Sequence, residues 1–276
     1  MRSRRLGAAM KRFRLAAKLD QPQAAEIIAS SQARISRLES GHVTARVIEV
    51  RLLLNAYGVT DPDMCAKLEG LAKVRPRRGW WYECAPFLRP DYLDHITLEN
   101  DASHIRQWQP ALVPGLLQTM AYAQAVIEGG PSSLDAEQVA RLVEVRQRRQ
   151  ERIAAGGATY EAVLWEAVVM HPLVSAADHR EQLTGLLEAG ERENVTVRVL
   201  PFSAGTLAAA ASAFTAFSFE PESAIEAVTM DDLMSTSVIE SPEDLAVYAS
   251  SYDLLRSTAL APDASAKLIR DVLQNI

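Results

Sequence analysis

The chain has 276 residues, of which 48% are hydrophobic, and this is enough for one or two domains with their own cores. No apolar run approaches the roughly 20 residues of a membrane-spanning helix, and no apolar segment follows the basic N-terminus as in a signal peptide. The two cysteines, Cys65 and Cys84, have no spacing typical of a metal site or a disulfide framework. We therefore expect a cytoplasmic protein with no membrane contact.

The formal charge is distributed unevenly along the chain. Residues 1–78 hold 16 basic and 7 acidic side chains, a charge of +9, whereas the whole chain carries −6 and the remainder therefore −15. A basic segment on an acidic body is typical of a protein that binds a polyanion through one domain. The arginines and lysines near the N-terminus, Arg4 among them, are expected to contact phosphates, which sets affinity and salt dependence rather than sequence choice.

Residues 1–74 predict five short helices with short connections, which is a small all-α domain. Asp20 and Gln23 have the spacing of a capping box at the start of the second helix, and Ser31 is a natural cap for the third. Gly41 follows the last turn of that helix, where a left-handed residue commonly ends it. The apolar side chains that set the helical period are Leu6, Ala9, Met10, Phe13 and Ala17 in the first helix and Val47, Val50, Leu53, Leu54 and Tyr57 in the fourth.

Residues 20–41 are the most informative segment for function. They predict two short helices joined by a tight turn, and the second carries Gln32, Arg34 and Arg37 away from its apolar stripe. Such a pair of helices is the arrangement that reads DNA in the major groove. The alternative is a helical bundle with a solvated charged face, and the charge of +9 on this part of the chain argues against it.

The motif in this segment resembles the Cro/repressor-type (xenobiotic-response-element) helix-turn-helix family, over about the first quarter of the chain. The matching residues are Leu19, Asp20, Gln21, Ala24, Ala25, Ser31, Ile35, Ser36, Arg37, Leu38, Glu39 and Gly41. Ala29 and Ser30 depart from the family, which usually has Gly and then a large apolar residue in the turn. A non-Gly residue in a left-handed turn costs roughly 1 kcal/mol, so the departure concerns the geometry of the turn rather than the assignment.

The resemblance implies a role for individual side chains. Gln32, Ala33 and Arg37 are expected to face base edges, whereas Arg14 and Glu39 are expected to form an internal ion pair between the first and third helices. The side chains expected near the sugar-phosphate backbone, besides Arg4, are Gln21, Ser31, Arg34, Ser36, His42, Thr44 and Arg46.

The remainder of the chain predicts a second domain. We interpret residues 75–88 as a linker and aromatic hinge, and residues 89–276 as an α+β domain with a small, largely antiparallel sheet. The predicted strands are Tyr160–Met170, Val195–Pro201, Ala213–Phe219 and Ile225–Met230. The predicted helices cover residues 89–107, 116–127, 135–155, 176–189, 242–258 and 264–274.

This second domain also resembles a known group. Its segments 79–81, 112–119, 194–205 and 243–255 resemble a C-terminal domain of uncharacterised function in actinobacterial WhiJ-like, antitoxin-like transcriptional regulators. The resemblance covers most of residues 79–276. It implies regulation of transcription in development or secondary metabolism, often with a small partner protein of the BldB-like kind encoded nearby.

Aromatic side chains supply a candidate ligand site. Trp80, Trp81 and Trp108 are candidates for the wall of a ligand pocket, because such pockets are mostly apolar with aromatic walls. The favoured alternative is an interdomain hinge and core, since large aromatics dominate core energetics. The alanine-rich segment 207–213 is either a flap over a pocket or a buried connection.

The polar clusters of the second domain do not predict catalysis. His95, Glu99, Asp101 and His104 lack the spacing of a metal site, so a solvated helix face is the favoured interpretation. The charged run Arg146–Arg152 is likewise interpreted as a solvated helix face, with phosphate contact as the alternative. We expect no catalytic residues, no metal and no cofactor.

Together these patterns predict a sequence-specific DNA-binding transcriptional regulator. It is expected to act as a homodimer on double-stranded DNA, with half-sites about 34 Å apart. The C-terminal domain is expected to dimerise and to sense a partner protein or a small-molecule effector. The alternative function is an antitoxin-like module that holds a small partner protein and regulates its own operon. An enzyme with a DNA-binding appendage is the least favoured class.

Overall fold

A computed structural model describes residues 2–41, 43–73, 79–130, 133–220, 224–232 and 235–276, without the side chains of residues 2–5, 67, 73 and 210. The chain divides into two compact units, Met1–Gly79 and Trp80–Ile276. Residues 75–78, the first part of the predicted linker and hinge, lie outside the described residues. Residues 80–88, which the sequence analysis assigned to the hinge, pack in the second unit, where Trp81 and Leu88 are buried against Ile96 and Val145.

The described part of the first unit contains five helices, in agreement with the sequence analysis. They are α1 (Arg2–Ala16), α2 (Gln21–Ile27), α3 (Gln32–Glu39), α4 (Val47–Ala56) and α5 (Pro62–Lys73). The predicted capping box is present, because Asp20 Oδ1 accepts from the Gln23 backbone and Gln23 Oε1 accepts from the Asp20 backbone, each at 2.8 Å. The buried core joins all five helices and includes Met10, Ala25, Ile35, Leu53 and Leu68.

The first and third helices approach each other closely at a glycine. A Cβ atom added at Gly7 would overlap the carbonyl oxygens of Leu38 and Glu39, so α1 and α3 meet backbone to backbone there. A larger residue would have to push α3 away from α1. Gly7 thus helps to set the position of the helix that carries Arg37.

The described part of the second unit contains eight α-helices and six β-strands. The helices are α6 (Pro90–Asp101), α7 (Met120–Glu128), α8 (Ala136–Gln150), α9 (Glu166–Met170), α10 (Ala176–Gly190), α11 (Leu207–Ala210), α12 (Pro242–Thr258) and α13 (Pro262–Leu273). The strands are β1 (His104–Gln109), β2 (Thr159–Trp165), β3 (Val195–Leu200), β4 (Phe214–Ser218), β5 (Ala227–Asp231) and β6 (Thr236–Ile239).

The six strands form one mixed sheet in the order β3-β2-β1-β4-β5-β6. Strand β1 pairs in parallel with β2, and β2 with β3, whereas the β1–β4, β4–β5 and β5–β6 pairs are antiparallel. The predicted α+β class is confirmed, but the sheet is larger than predicted and is mixed, because two of its five strand pairs are parallel. Helices α7 to α10 lie on the connections β1–β2 and β2–β3, and such long crossovers allow parallel pairing.

The largest error concerns β1, which the sequence analysis placed inside a helix over residues 89–107. Helix α6 ends at Asp101, and His104–Gln109 form a central strand between β2 and β4. Two further strand assignments differ from the prediction. Strand β2 ends at Trp165, after which α9 begins, and the predicted strands did not include β6.

Helices pack on the sheet and enclose its core. Tyr252 and Leu255 of α12 join a buried cluster with Trp108, Val163 and Phe214 from three neighbouring strands. The same cluster includes Ala208, so part of the alanine-rich segment packs on the core as helix α11. Within the described ranges, no helix combines the length and the apolar composition that a membrane span requires.

Candidate nucleic-acid interface

The connection between α2 and α3 is a tight turn built around a strained residue. Ala29 has a φ of +48°, in the left-handed region, and it stands where the resembled family usually has glycine. The Ser30 amide donates to the Ala25 carbonyl at 2.9 Å, and Ser31 then begins α3 by accepting from the Arg34 backbone at 3.2 Å. The turn therefore forms without glycine, and Ala29 bears the strain.

Helix α3 has one buried and one exposed face. Ile35 and Leu38 are buried in the core, and the polar or small side chains on the opposite face are exposed. The Arg37 Nε atom donates to the Ala33 carbonyl one turn earlier, at 3.2 Å, so its guanidinium lies along the helix. The exposed residues of α3 are Gln32, Ala33, Ser36 and Arg37.

A buried ion pair ties three helices of the first unit together. Arg14 Nε donates to Glu39 Oε1 at 2.6 Å and Arg14 Nη2 donates to Glu39 Oε2 at 3.0 Å. Gln21 at the start of α2 also donates to Glu39 Oε2 at 3.0 Å. Burial by itself raises the pKa of Glu39, but the bonds from Arg14 and Gln21 outweigh it and lower the pKa overall.

Glu49 is a second carboxylate of this kind, and the sequence analysis missed it. Arg34 donates to it from Nε at 3.1 Å and from Nη2 at 2.9 Å, and the Arg46 amide donates at 2.8 Å. These bonds overcome the effect of burial and lower the pKa of Glu49 to about 2. An acidic residue inside the apolar run Val47–Leu54 was the signal that a buried partner was required.

The predicted phosphate contacts therefore fall into groups. Arg34 is half-buried and bonded to Glu49, and Gln21 is half-buried and bonded to Glu39, so both also have internal partners. His42 and the side chain of Arg4 lie outside the described residues. The exposed members of the predicted set lie on α3 or on the segments that flank it, and they are Ser31, Ser36, Thr44 and Arg46.

In the second unit, two of the three predicted tryptophans line a cavity. Trp80 and Trp81 border a space of about 280 Å³ together with Ile96, Arg148 and Arg152. Trp108 does not reach it. This residue is fully buried in the sheet core, and its Nε1 atom donates to the Ala211 carbonyl at 3.0 Å.

Three residues of the predicted solvated helix faces are buried, whereas Glu151 of the charged run is exposed. Glu99 and His95 are 2% and 3% exposed, and Arg149 is 8% exposed. Arg149 Nε and Nη2 donate to the two Glu99 oxygens at 2.8 and 2.6 Å. His95 also contacts Thr229 of β5 at 2.9 Å between its Nδ1 atom and the hydroxyl. The interpretation of these residues as solvated was wrong because α6 turns its charged side toward the sheet and α8.

Comparison with known families agrees with this division of the chain. Residues 5–68 match the model of a helix-turn-helix domain, a class of domain that binds DNA. Residues 92–271, about two thirds of the chain, match the model of a domain of unknown function, DUF5753. The chain belongs to the family defined by that domain. Comparisons with curated proteins and with solved structures find no match.

Proposed function

We propose that this protein is a sequence-specific transcriptional regulator of the Cro/repressor type. The observation that carries the proposal is helix α3, whose apolar side is buried while Gln32 and Arg37 are exposed on the other side. Its unit is basic, with a charge of +9 over residues 1–78, whereas the remaining residues are acidic. A small helical unit with these properties suits the major groove, and the acidic remainder disfavours wrapping of DNA around the second unit.

The proposed roles of the side chains follow from their exposure and bonding. Gln32, Ala33 and Arg37 read base edges, and Ser31, Ser36, Thr44 and Arg46 approach the sugar-phosphate backbone. Arg14 and Glu39 position the helices and do not touch DNA. Gln21 and Arg34 combine an internal bond with a phosphate contact, for which the Arg34 Nη1 atom is available because its bonds to Glu49 use Nε and Nη2.

We further propose that the regulator is a cytoplasmic, non-enzymatic homodimer that resembles the WhiJ-like group. The second unit forms the dimer contact and senses a small molecule or a partner protein of the BldB-like kind. An apolar groove between α7 and α8 supports a contact surface, since it is lined by Met120, Val139 and Val143 and Met120 is 61% exposed. An antitoxin-like role would use the same surface to hold a partner protein instead of a second copy.

The direct test is binding of the full chain to its own promoter, measured by fluorescence anisotropy at two salt concentrations with random duplex as competitor. We expect tight, salt-dependent binding that survives the competitor. Arg37→Ala should weaken operator binding by about 1–3 kcal/mol and relax the preference at one base position.

Arg51→Ala is the matched control for this test. It removes one positive charge from the same unit, but Arg51 lies on α4 in an exposed pair with Glu69. Binding of this variant should remain close to that of the wild type. If Arg37→Ala lost the same affinity for the operator and for random duplex, the base-reading role of Arg37 would be refuted. Weak wild-type binding that is the same on both duplexes would contradict sequence-specific recognition.

A further inference from the structure

The cavity beside Trp80 and Trp81 has the walls of a binding site for a flat molecule. The two indole rings meet edge to face, with centroids 6.0 Å apart and planes at 88°. Trp81 is 4% exposed, and its Nε1 atom donates to Thr97 Oγ1 at 3.1 Å, so this wall is held in place. The space of about 280 Å³ lies just below the usual range of about 300–1,000 Å³ for small-molecule sites, so it suits a small ligand.

One ion pair at the cavity is satisfied internally. Both oxygens of Glu99 accept from Arg149, whose remaining nitrogen, Nη1, donates to the Tyr92 hydroxyl. Burial raises the pKa of Glu99, but Arg149 outweighs it and lowers that pKa to about 2. Glu99 is therefore a carboxylate already paired with Arg149, and the two together add almost no net charge to the cavity.

Two other arginines bring positive charge that no carboxylate pairs with directly. The Arg148 guanidinium carbon lies 4.3 Å from the Trp80 ring centroid, and among the described residues it has no hydrogen-bond or ion-pair partner. Arg152 donates from Nε to the Glu99 carbonyl at 3.2 Å and from Nη2 to the Ala102 carbonyl. Its Nη1 atom has no partner within the described ranges.

Among the residues that line the cavity, the balance of charge is therefore positive. Against Arg148 and Arg152 stands one further lining acid, Glu151, which is exposed. Burial lowers the pKa of Arg152, although Glu99 and Asp101 oppose that effect. An arginine that is partly desolvated and bonded to carbonyl groups is stabilised by an incoming anion, and a guanidinium binds a carboxylate through two parallel hydrogen bonds.

We infer that this cavity binds a small aromatic carboxylate, whose ring packs against Trp80 and Trp81 while its carboxylate pairs with Arg148 and Arg152. The two indole rings favour a ligand with a flat apolar ring. The small volume and the excess of about one positive charge favour a monoanion over a polyphosphate. The role of this cavity as an effector site rests on the proposed regulatory function. Binding of the ligand to the cavity does not, and it can be measured without DNA.

The test is isothermal titration of the full chain with benzoate and with indole-3-acetate, in the absence of DNA. Indole-3-acetamide, which lacks the charge, and acetate, which lacks the ring, are the control ligands. We expect saturable binding of at least one aromatic acid with one ligand per chain, and binding at least about tenfold weaker for both controls. No saturable binding of either acid at low millimolar concentration would overturn the inference, and so would equal affinities for the acid and its amide.

Variants on α8 locate the site. Arg148→Gln should weaken binding of the aromatic acid at least about tenfold, whereas Arg148→Lys, which keeps the charge, should weaken it less. Arg141→Gln is the matched control, since Arg141 lies on the same helix, 5.3 Å from the Phe87 ring, and does not line the cavity. Equal losses in Arg148→Gln and Arg141→Gln would place the ligand elsewhere and refute the assignment. DNA binding of the same samples is a separate measurement, so the failure of either proposal is visible on its own.

Discussion

At the scale of single residues, the pair of Arg14 and Glu39 matters most for the first unit. Both residues are buried, at 5% and 8% exposure, and the Arg14 guanidinium and the Glu39 carboxylate join α1 to α3. The gain from such a pair is small once desolvation is subtracted, but removal of one partner leaves an uncompensated buried charge. The pair therefore specifies how the helices fit together more than it adds stability.

Glu39→Gln should lower the free energy of unfolding of the first unit by about 3–5 kcal/mol, because Arg14 loses its counter-charge. Hydrogen exchange of the α1 and α3 amides in the full chain, followed by mass spectrometry, measures this loss. Arg51→Ala, which breaks an exposed pair with Glu69, is expected to change protection by less than about 1 kcal/mol. Unchanged protection in Glu39→Gln would contradict the role given to the pair.

Acid should weaken the same unit through its carboxylates. Glu49 has a pKa of about 2 in the folded chain, below its ordinary value of 4.5, so its contribution to stability is present above pH 4.5. This contribution is lost as the pH falls from about 4.5 to about 2, and Glu39 acts in the same direction. Exchange protection of α3 and α4 should therefore decline across this range. Above pH 5 it should change little.

At the scale of elements, a substitution in the turn between α2 and α3 should increase the stability of the first unit. Ala29→Gly should raise the free energy of unfolding of the first unit by about 0.5–1 kcal/mol, because glycine adopts a positive φ without the strain of a Cβ. Ala8→Gly, at an exposed position inside α1, provides the control with the opposite sign and should lower it by about 1 kcal/mol. Thermal unfolding of the three proteins compares them. A loss of stability in Ala29→Gly would show that the turn has another conformation.

Helices with strong local signals were predicted well, and the sheet was not. Asp20 and Ser31 each cap the helix that the sequence assigned to them. In contrast, the sequence of β1 is mostly polar and contains only two apolar residues, Ile105 and Trp108. These two are three positions apart, so they also fit the apolar stripe of a helix. Its strand state comes from hydrogen bonds to β2 and β4, which lie about 55 and 110 residues later in the chain.

At the scale of the whole molecule, the proposed dimer is the property that sets DNA specificity. A single helix-turn-helix unit contacts few base pairs, so two copies are needed for an operator of useful length. Met120→Glu places a charge in the groove between α7 and α8, at the first position of α7, where an acidic residue suits the helix dipole. This substitution should therefore disrupt association without unfolding α7.

Sedimentation equilibrium of the full chain tests this prediction. We expect the wild type to be a dimer and Met120→Glu to be mainly a monomer. Val247→Glu is the control, since Val247 is as exposed as Met120, at 63% against 61%, but lies on α12. A monomeric wild type would contradict the homodimer, and dissociation of both variants would show that the α7–α8 groove is not the specific contact.

Local sequence signals were sufficient to predict the helical first unit, its turn and the face of α3 that carries Arg37. Capping residues and the helical period act over a few positions, so a single segment contains all the information they need. The place of β1, the parallel pairs and the burial of Glu99 with Arg149 follow only from tertiary packing, because each depends on partners about 35 residues or more away. The same packing placed Arg148 and Arg152 beside the two tryptophans. The sequence could not predict this, because the charge pattern of a helix face is the same whether the face contacts water or a buried counter-charge.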